Sequence, residues 1–435
     1  MIKKIIKFSS GFLPDALKNK VKFLWIKFKT KRIIKNHTRE LNRLNIKAKS
    51  KEPIKVVFLV IHHSIWKFEQ VFQKMIDDDF FAPEILICPY IIYGDEQMQK
   101  DMDSGFDFFK RKGFPVKKAL RNDGGWVKIQ SLNPDIVFFT NPYPLTLSKY
   151  FYEPLKNYLS CYLPYYFMAT NHAGATRDIY SSLFLGNVWK VFWPHDYHLE
   201  NHKKFNFNNA SNGVVSGYPS MEPLVYKKEI SENPWKPQKN KEKRIIIAPH
   251  HTIKQSDEYS LSSFIELSDF FIELALKYKD SVQWSFKPHP MLKPNLINHP
   301  DWGRAKTEKY YSFWDNNDFT QLDEGDYISL FHFSDAIMHD SSSFICEYVF
   351  TGKPGLYLMD KEKSEKIVND FGQMFLSTYQ VDKSKSVIDQ FVQGIISEIN
   401  LKEKNENIKE YISDYYKDNK PSDLIVQEIK NEIIR

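Results

Sequence analysis

The chain has 435 residues, 42% of them hydrophobic and 15% aromatic, and carries a formal charge of +7. That length suits two domains, and that composition fills real cores, which excludes a disordered protein. Residues 1–50 hold 15 Lys and Arg against Asp15 and Glu40, a net of +13 that leaves −6 for residues 51–435; so uneven a balance excludes a nucleic-acid-binding body and points to one basic end meeting an anionic surface.

Within that arm, Ile2, Ile5, Phe8 and Phe12, then Phe23, Leu24, Trp25 and Phe28, lie among lysines. The mixture describes a helix lying in a bilayer interface, where each nearby Lys is attracted by ~1 kcal/mol. The alternative is a pair of amphipathic helices packed on the body with their lysines solvated. No small-residue cleavage site follows a short apolar core, and no apolar run nears the ~20 residues of a membrane span, so neither a secretory signal nor a spanning helix is expected. Cys88, Cys161 and Cys346 are widely spaced and form no CxxC pair, as in a reducing compartment without disulfides or a zinc knuckle.

Val56–Ile61 is a continuous apolar run, the mark of a strand buried on both faces. A helix period follows over residues 65–76, then strand Ile85–Ile92, helix Gln97–Lys112 and strand Asp135–Thr140. Further strands are expected at Tyr162–Phe167, Val188–Trp193 and Val214–Val215. Residues 229–243 are polar, with two prolines, and read as a linker. The alternation then restarts: strand Arg244–Ala248, helix Leu261–Tyr278, strand Val282–Lys287, helix Tyr327–Phe333, strand Ala336–Met338, helix Phe344–Phe350 and strand Leu356–Met359. Alternating strands and helices specify parallel, doubly wound sheets. The expected layout is a basic helical arm (1–50), an α/β domain (51–228), a linker (229–243), a second α/β domain (244–400) and terminal helices (401–435), with a cleft between the domains.

Four loops after predicted strands concentrate the reactive residues, where α/β sheets bind ligands. The sharpest is the turn Asp340-Ser341-Ser342-Ser343 between a strand and a helix, which offers hydroxyls and backbone N–H groups to an anion. An ordinary helix N-cap is the alternative there. Glu347, one turn on, is within reach of a ribose. Pro249-His250-His251-Thr252 and Lys287-Pro288-His289-Pro290 add donors suited to a diphosphate, although a structural His-Pro turn is the other reading of His289. The first half contributes Thr170-Asn171-His172-Ala173-Gly174 with Arg177, and His62-His63-Ser64 after the first strand. His195-Asp196 either positions an acceptor or caps the next helix. The P-loop and Gly-x-Ser-x-Gly signatures are absent, which disfavours P-loop NTPases and that class of hydrolase.

The run SDAIMHDSSSFICEYVFTGKPGLYL, preceded by FKPHP and IIIAPHHT, resembles the donor half of GT-B transferases, above all the CDP-glycerol glycerophosphotransferase-like enzymes of teichoic acid and capsule synthesis. TNHAGA and SGYPSMEPL resemble first-half segments of that family. The likeness covers roughly residues 55–385. Departures are His250-His251 where the family has Thr-(Trp/Phe), Ser220 for an arginine, Glu222 for an aspartate, and Ala173 inside the usual His-Gly pair. The resemblance implies a GT-B fold of two Rossmann-like domains. It implies a donor diphosphate held by His289, Lys287, His250, His251 and Asp340–Ser343, with the ribose on Glu347 and the pyrimidine near Ile328–Phe331. His172 would be the general base, with His289 assisting, and His62, His63, Arg177 and His195 would meet the acceptor. No metal and no cofactor beyond the nucleotide-linked donor is implied. The partners would be a lipid-linked glycan and, through residues 1–50, the cytoplasmic face of a bacterial membrane. A uridine-sugar transferase, a sugar-nucleotide epimerase and a non-catalytic assembly protein remain as alternatives.

Overall fold

In the computed structural model, residues 15–171, 175–227, 230, 232–237, 242–254, 260–399 and 406–435 are described, with side chains excepted at 15–29, 175–177 and 406–407. Two parallel sheets organise them. The first has β1 (Ile54–Val60), β2 (Phe81–Ile87), β3 (Val116–Lys118), β4 (Ile136–Phe139), β5 (Leu159–Tyr162), β6 (Lys190–Trp193) and β7 (Gly213–Val215), in the order β3-β2-β1-β4-β5-β6-β7. The second has β8 (Lys243–Ala248), β9 (Val282–Phe286), β10 (Thr320–Leu322), β11 (Ala336–His339), β12 (Gly355–Tyr357) and β13 (Gln380–Val381), in the order β10-β9-β8-β11-β12-β13. Helices cover both faces, so β1, β4, β9 and β11 are buried almost throughout, as their apolar runs require.

Strand order reverses between β1 and β4 in one sheet and between β8 and β11 in the other. Each reversal opens a crevice at the carboxyl ends of the strands. The two crevices face each other across a cleft of about 1580 Å³.

Several boundaries differ from the sequence reading. The strand expected at Tyr162–Phe167 is β5, Leu159–Tyr162; Pro164, which has no N–H, cannot continue the ladder. β3, β10 and β13 were not anticipated, being two- or three-residue strands with polar members. The helix after the serine turn runs Ser342–Glu347, tightens to a 3-10 turn over Tyr348–Thr351, and closes at Gly352, whose φ of +66° is left-handed.

The arm is a helix, Asp15–Lys49. Its C-terminal part, from Thr30 on, meets the body: Thr30 and His37 are buried, Leu44 fully so, and Arg43 and Lys47 hold the buried Asp135 carboxylate at 2.8 and 2.5 Å. Asn45 Nδ2 donates to the carbonyls of Ile433 and Ile434 at 2.9 Å. Residues 30–49 thus pack in part on the body, as the alternative reading expects. Residues 1–14 lie outside the described residues. Among the described residues no helix is long and apolar enough to cross a membrane.

The two halves share a core. Phe167 of the first stacks at 6.3 Å on Phe350 and at 6.1 Å on Phe371 of the second. Helix Pro421–Ile434 returns to the first domain, where Lys190 pairs with Glu428 at 2.6 Å and the buried Glu222 accepts from the Ser422 backbone N–H at 2.6 Å and hydroxyl at 2.9 Å. The segment expected as a linker is docked in its described part: Trp235 is buried and donates to the Leu330 carbonyl at 3.2 Å. All three cysteines are free thiols in the interior.

Candidate functional site

The second-domain wall of the cleft is built at the β8–β11 crevice. His250 and His251 leave β8, Lys287 and His289 leave β9, and the serines follow β11; all but Asp340 line the cleft. Asp340 is a correction to the sequence reading. It is 1% exposed, and its two oxygens accept the backbone N–H groups of His250 at 2.5 Å and Ser263 at 2.8 Å. Burial pushes its carboxyl up to about 7 against those donors. Its side chain is committed to the histidine loop and does not border the cleft.

Ser341 occupies the N-cap position of helix Ser342–Glu347 without a side-chain capping bond; its Oγ instead lies 3.3 Å from Ser343 Oγ. The ordinary-cap alternative therefore fails here, and the hydroxyls face the cleft. Lys287 is 5% exposed, and burial pushes its amine down to about 8, with Asp323, Asp326 and Glu324 opposing that shift.

His250, His251 and His289 converge, their ring nitrogens within 4.8 Å of one another. Burial lowers His251 to about 4 and His289 to about 3, so both are neutral at physiological pH. His289 Nδ1 accepts the Met291 backbone N–H at 3.1 Å, and His250 Nδ1 lies 2.9 Å from the Thr252 hydroxyl. A neutral imidazole that accepts at Nδ1 carries its proton on Nε2. His289 is thereby set as a donor to an anion, whereas a metal ligand offers that lone pair and donates from its other nitrogen.

Glu347 is 1% exposed and borders the cleft. Burial raises its carboxyl, with Lys67 opposing. Lys67 reaches it from the first domain: its Nζ lies 3.5 Å from Oε1, contacts the Tyr327 hydroxyl, and sits 4.6 Å from that ring's centre. Oε2 has no hydrogen-bond partner among the described residues. Ile328 and Ser329 border the same end of the cleft.

The first-domain wall, at the β1–β4 crevice, is different in kind. Trp66, Tyr90, Tyr143 and Tyr165 line it together with His62 and His63. The two imidazoles stack at 4.9 Å, and His63 leans on Phe108 at 5.1 Å. His195, expected at an acceptor, lies outside the cleft lining. It caps helix Asp196–Phe205 by accepting the Tyr197 N–H at 2.9 Å, and its ring packs on Phe371 and Tyr411. His172 lies outside the described residues, as does the Arg177 side chain. The chain just before His172 is tied to the second domain, with Asn171 N–H donating to Ile367 O at 2.6 Å.

Lys67, Asp101 and the tyrosines escaped the sequence reading. Lys67 falls inside the helix period expected over residues 65–76, and Asp101 is one acid among many in a helix. Nothing in the linear pattern separates them from solvated charges.

No family model matches the chain, and no curated protein does. Solved structures do. The UDP complex of MnaA from S. aureus is 16% identical over 87% of this chain and 96% of its own, with a TM-score of 0.56. The UDP-GlcNAc 2-epimerase of Methanocaldococcus jannaschii, solved with UDP-GlcNAc and UDP, is 13% identical over 87% and 99%, with a TM-score of 0.54. A variant of the wall teichoic acid polymerase TagF is 14% identical over 95% and 99%, with a TM-score of 0.51. At such identities the likeness establishes architecture: this chain has the GT-B fold, two Rossmann-like domains facing a cleft.

Proposed function

We propose that the chain is a transferase that moves glycerol phosphate, or another polyol-phosphate or sugar unit, from a cytidine diphosphate donor to a lipid-linked cell-surface polymer. The observation that carries this reading is the second-domain wall: His289 Nε2–H, the neighbouring imidazoles, Lys287 and three serines, gathered at a switch point opposite a separate, aromatic wall. Fixed donors of that kind hold a diphosphate and stabilise the charge that develops on the leaving nucleotide. Glu347, which borders the same cleft, is assigned to the ribose hydroxyls. The acceptor is assigned to the first-domain wall, near His62 and His63, and to His172 and Arg177. This reading assigns no metal to the reaction. Membrane attachment, at the cytoplasmic face, is assigned to residues 1–29.

A sugar-nucleotide epimerase is the second reading, favoured by the likeness to UDP-GlcNAc 2-epimerases over most of the chain. A thermal-shift panel separates the two. A ligand specific to the folded state adds about 2.7 kcal/mol at a hundredfold excess over its dissociation constant. Stabilisation by CDP-glycerol, CDP-ribitol or CDP, and not by UDP compounds, is expected. A response to UDP-GlcNAc and UDP alone overturns the cytidine assignment. Silence across the panel overturns catalysis at this cleft.

A further inference from the structure

We propose that Lys67 is a built-in competitor of the nucleotide's sugar: its ammonium occupies the Glu347 carboxylate from across the cleft, and a nucleotide must displace it to bind. The inference rests on the assignment of Glu347 to the ribose hydroxyls above, and adds to it what governs access to that carboxylate.

Glu347 ends the helix that follows the serine turn, and it borders the cleft. Its side chain is nevertheless 1% exposed, and Oε2 is covered and without a hydrogen-bond partner among the described residues. A ribose cannot reach a carboxylate covered in this way. Part of the cover comes from the other domain. Lys67 Nζ lies 3.5 Å from Oε1, contacts the Tyr327 hydroxyl and sits 4.6 Å from the centre of that ring. An ammonium and a sugar hydroxyl are both hydrogen-bond donors to a carboxylate, so the two compete for Glu347.

The backbone around Lys67 is anchored on both sides. Trp66 packs on Phe58 at 5.5 Å and on Phe109 at 4.9 Å, and Phe68 packs on Phe58 at 5.6 Å and on Phe138 at 5.5 Å. Between these anchors a flexible four-carbon stem carries a compact charge, which swings aside without moving β1. While it stays, the contact suits both partners. Lys67 is itself 7% exposed, and a cation so buried needs a partner. Burial raises the Glu347 carboxyl, and Lys67 opposes that shift. Phe167 and Asn171 join the two domains beyond β5, so the Lys67 contact breaks without parting them.

The consequence is a tax on affinity. While Lys67 covers Glu347, the sugar's place is shut, and apparent affinity falls with the fraction of molecules in which it is open. A site open in about one molecule in ten binds roughly tenfold more weakly than a site always open. Lys67 therefore weakens nucleotide binding, the opposite of what an ordinary contact residue does, and the weakening falls on ligands that carry ribose hydroxyls.

The test uses the full chain and calorimetry with CDP and UDP beside their 2′,3′-dideoxy forms. Lys67→Ala is expected to bind the ribonucleotide about tenfold more tightly than wild type. The dideoxy form, which leaves Lys67 in place, is expected to bind both chains alike. Lys67→Arg keeps a donor on Glu347 and is expected to bind as wild type does. Tyr327→Phe releases one hold on the ammonium and keeps both charges; it should tighten ribonucleotide binding by a smaller factor, and it serves if Lys67→Ala does not fold. Ribonucleotide binding that is unchanged or weaker in both Lys67→Ala and Tyr327→Phe overturns the proposal, as does equal tightening of the dideoxy form. A Lys67→Ala chain that binds the two forms equally overturns the assignment of Glu347 to the ribose, a distinct failure. No binding of any nucleotide to any chain overturns the transfer reading itself.

Discussion

The two walls of the cleft are equivalent in topology and opposite in chemistry. Each lies at the carboxyl edge of a parallel sheet, where strand order reverses around its first strand. One is furnished with Lys287, three imidazoles and three serines; the other with Trp66, Tyr90, Tyr143 and Tyr165 beside His62, His63 and Asp101. Burial acts on both: it keeps His251 and His289 neutral on the first, and His62 neutral on the second. The difference lies in what a neutral ring faces. His289 turns its Nε2–H toward a wall of Lys287 and serines, whereas the Nε2–H of His62 lies 3.8 Å from the Asp101 carboxylate. The fold supplies two crevices, and in the proposed transfer their side chains divide donor from acceptor.

The largest expected effect concerns what supports the aromatic wall. Removing residues 1–49 strips Leu44 from the core, worth about 2 kcal/mol, and leaves Asp135 buried without Arg43 or Lys47, worth about 3–5 kcal/mol. That sum rivals the whole stability of many domains, so no cooperative melting transition is expected. Removing residues 1–29 alone should leave the transition intact and abolish flotation with anionic liposomes. Cooperative melting of the shorter chain at the wild-type temperature breaks the assignment of residues 30–49 to the body.

The donor wall is next. Asp340→Ala orphans two buried N–H groups, His250 and Ser263, at about 1–3 kcal/mol each, and should show in denaturant midpoints before any ligand is added. A stable Asp340→Ala chain with weakened nucleotide binding would restore Asp340 as a ligand contact.

Glu222, under the first domain, gives a pH signature. Burial raises its carboxyl from 4.5 to about 7, so the folded chain binds the proton more tightly than the unfolded one. The contribution is complete below about 4.5 and is lost as pH rises to about 7, an order of 3 kcal/mol. Glu222→Gln should flatten that slope relative to wild type in melting curves taken across the window; parallel curves sink the assignment.

His289→Ala removes one donor to a charged group, about 1.5–3 kcal/mol, and should weaken nucleotide binding roughly 10–100-fold in calorimetry while leaving the His62 pKa unchanged. The smallest expected effect is none: chelation should change neither nucleotide binding nor turnover, because His289 already commits Nδ1 as an acceptor. Loss of activity restored by zinc would overturn that tautomer.

Much of the site was legible before any fold was known. The apolar runs at 56–61, 244–248 and 336–338 identified the central strands, because a strand buried on both faces must be apolar throughout. The loops after them, rich in His, Lys and Ser, stood out because they lie where α/β sheets bind ligands. Asp340 and His195 were misread because side-chain direction is not in the sequence. One turns inward to hold a loop, the other caps a helix.

The sequence alone determined the parallel α/β class, the central strands, and the residues of the phosphate-friendly wall, since periodicity and loop chemistry are local. Tertiary structure decided the rest. It brought Asp101 to His62 and Lys67 to Glu347 across 39 and 280 positions, docked residues 30–49 on the body, and returned the last helix to Glu222. Those contacts are long-range, and a charge that ends buried against its partner reads, in a linear chain, like any charge in water.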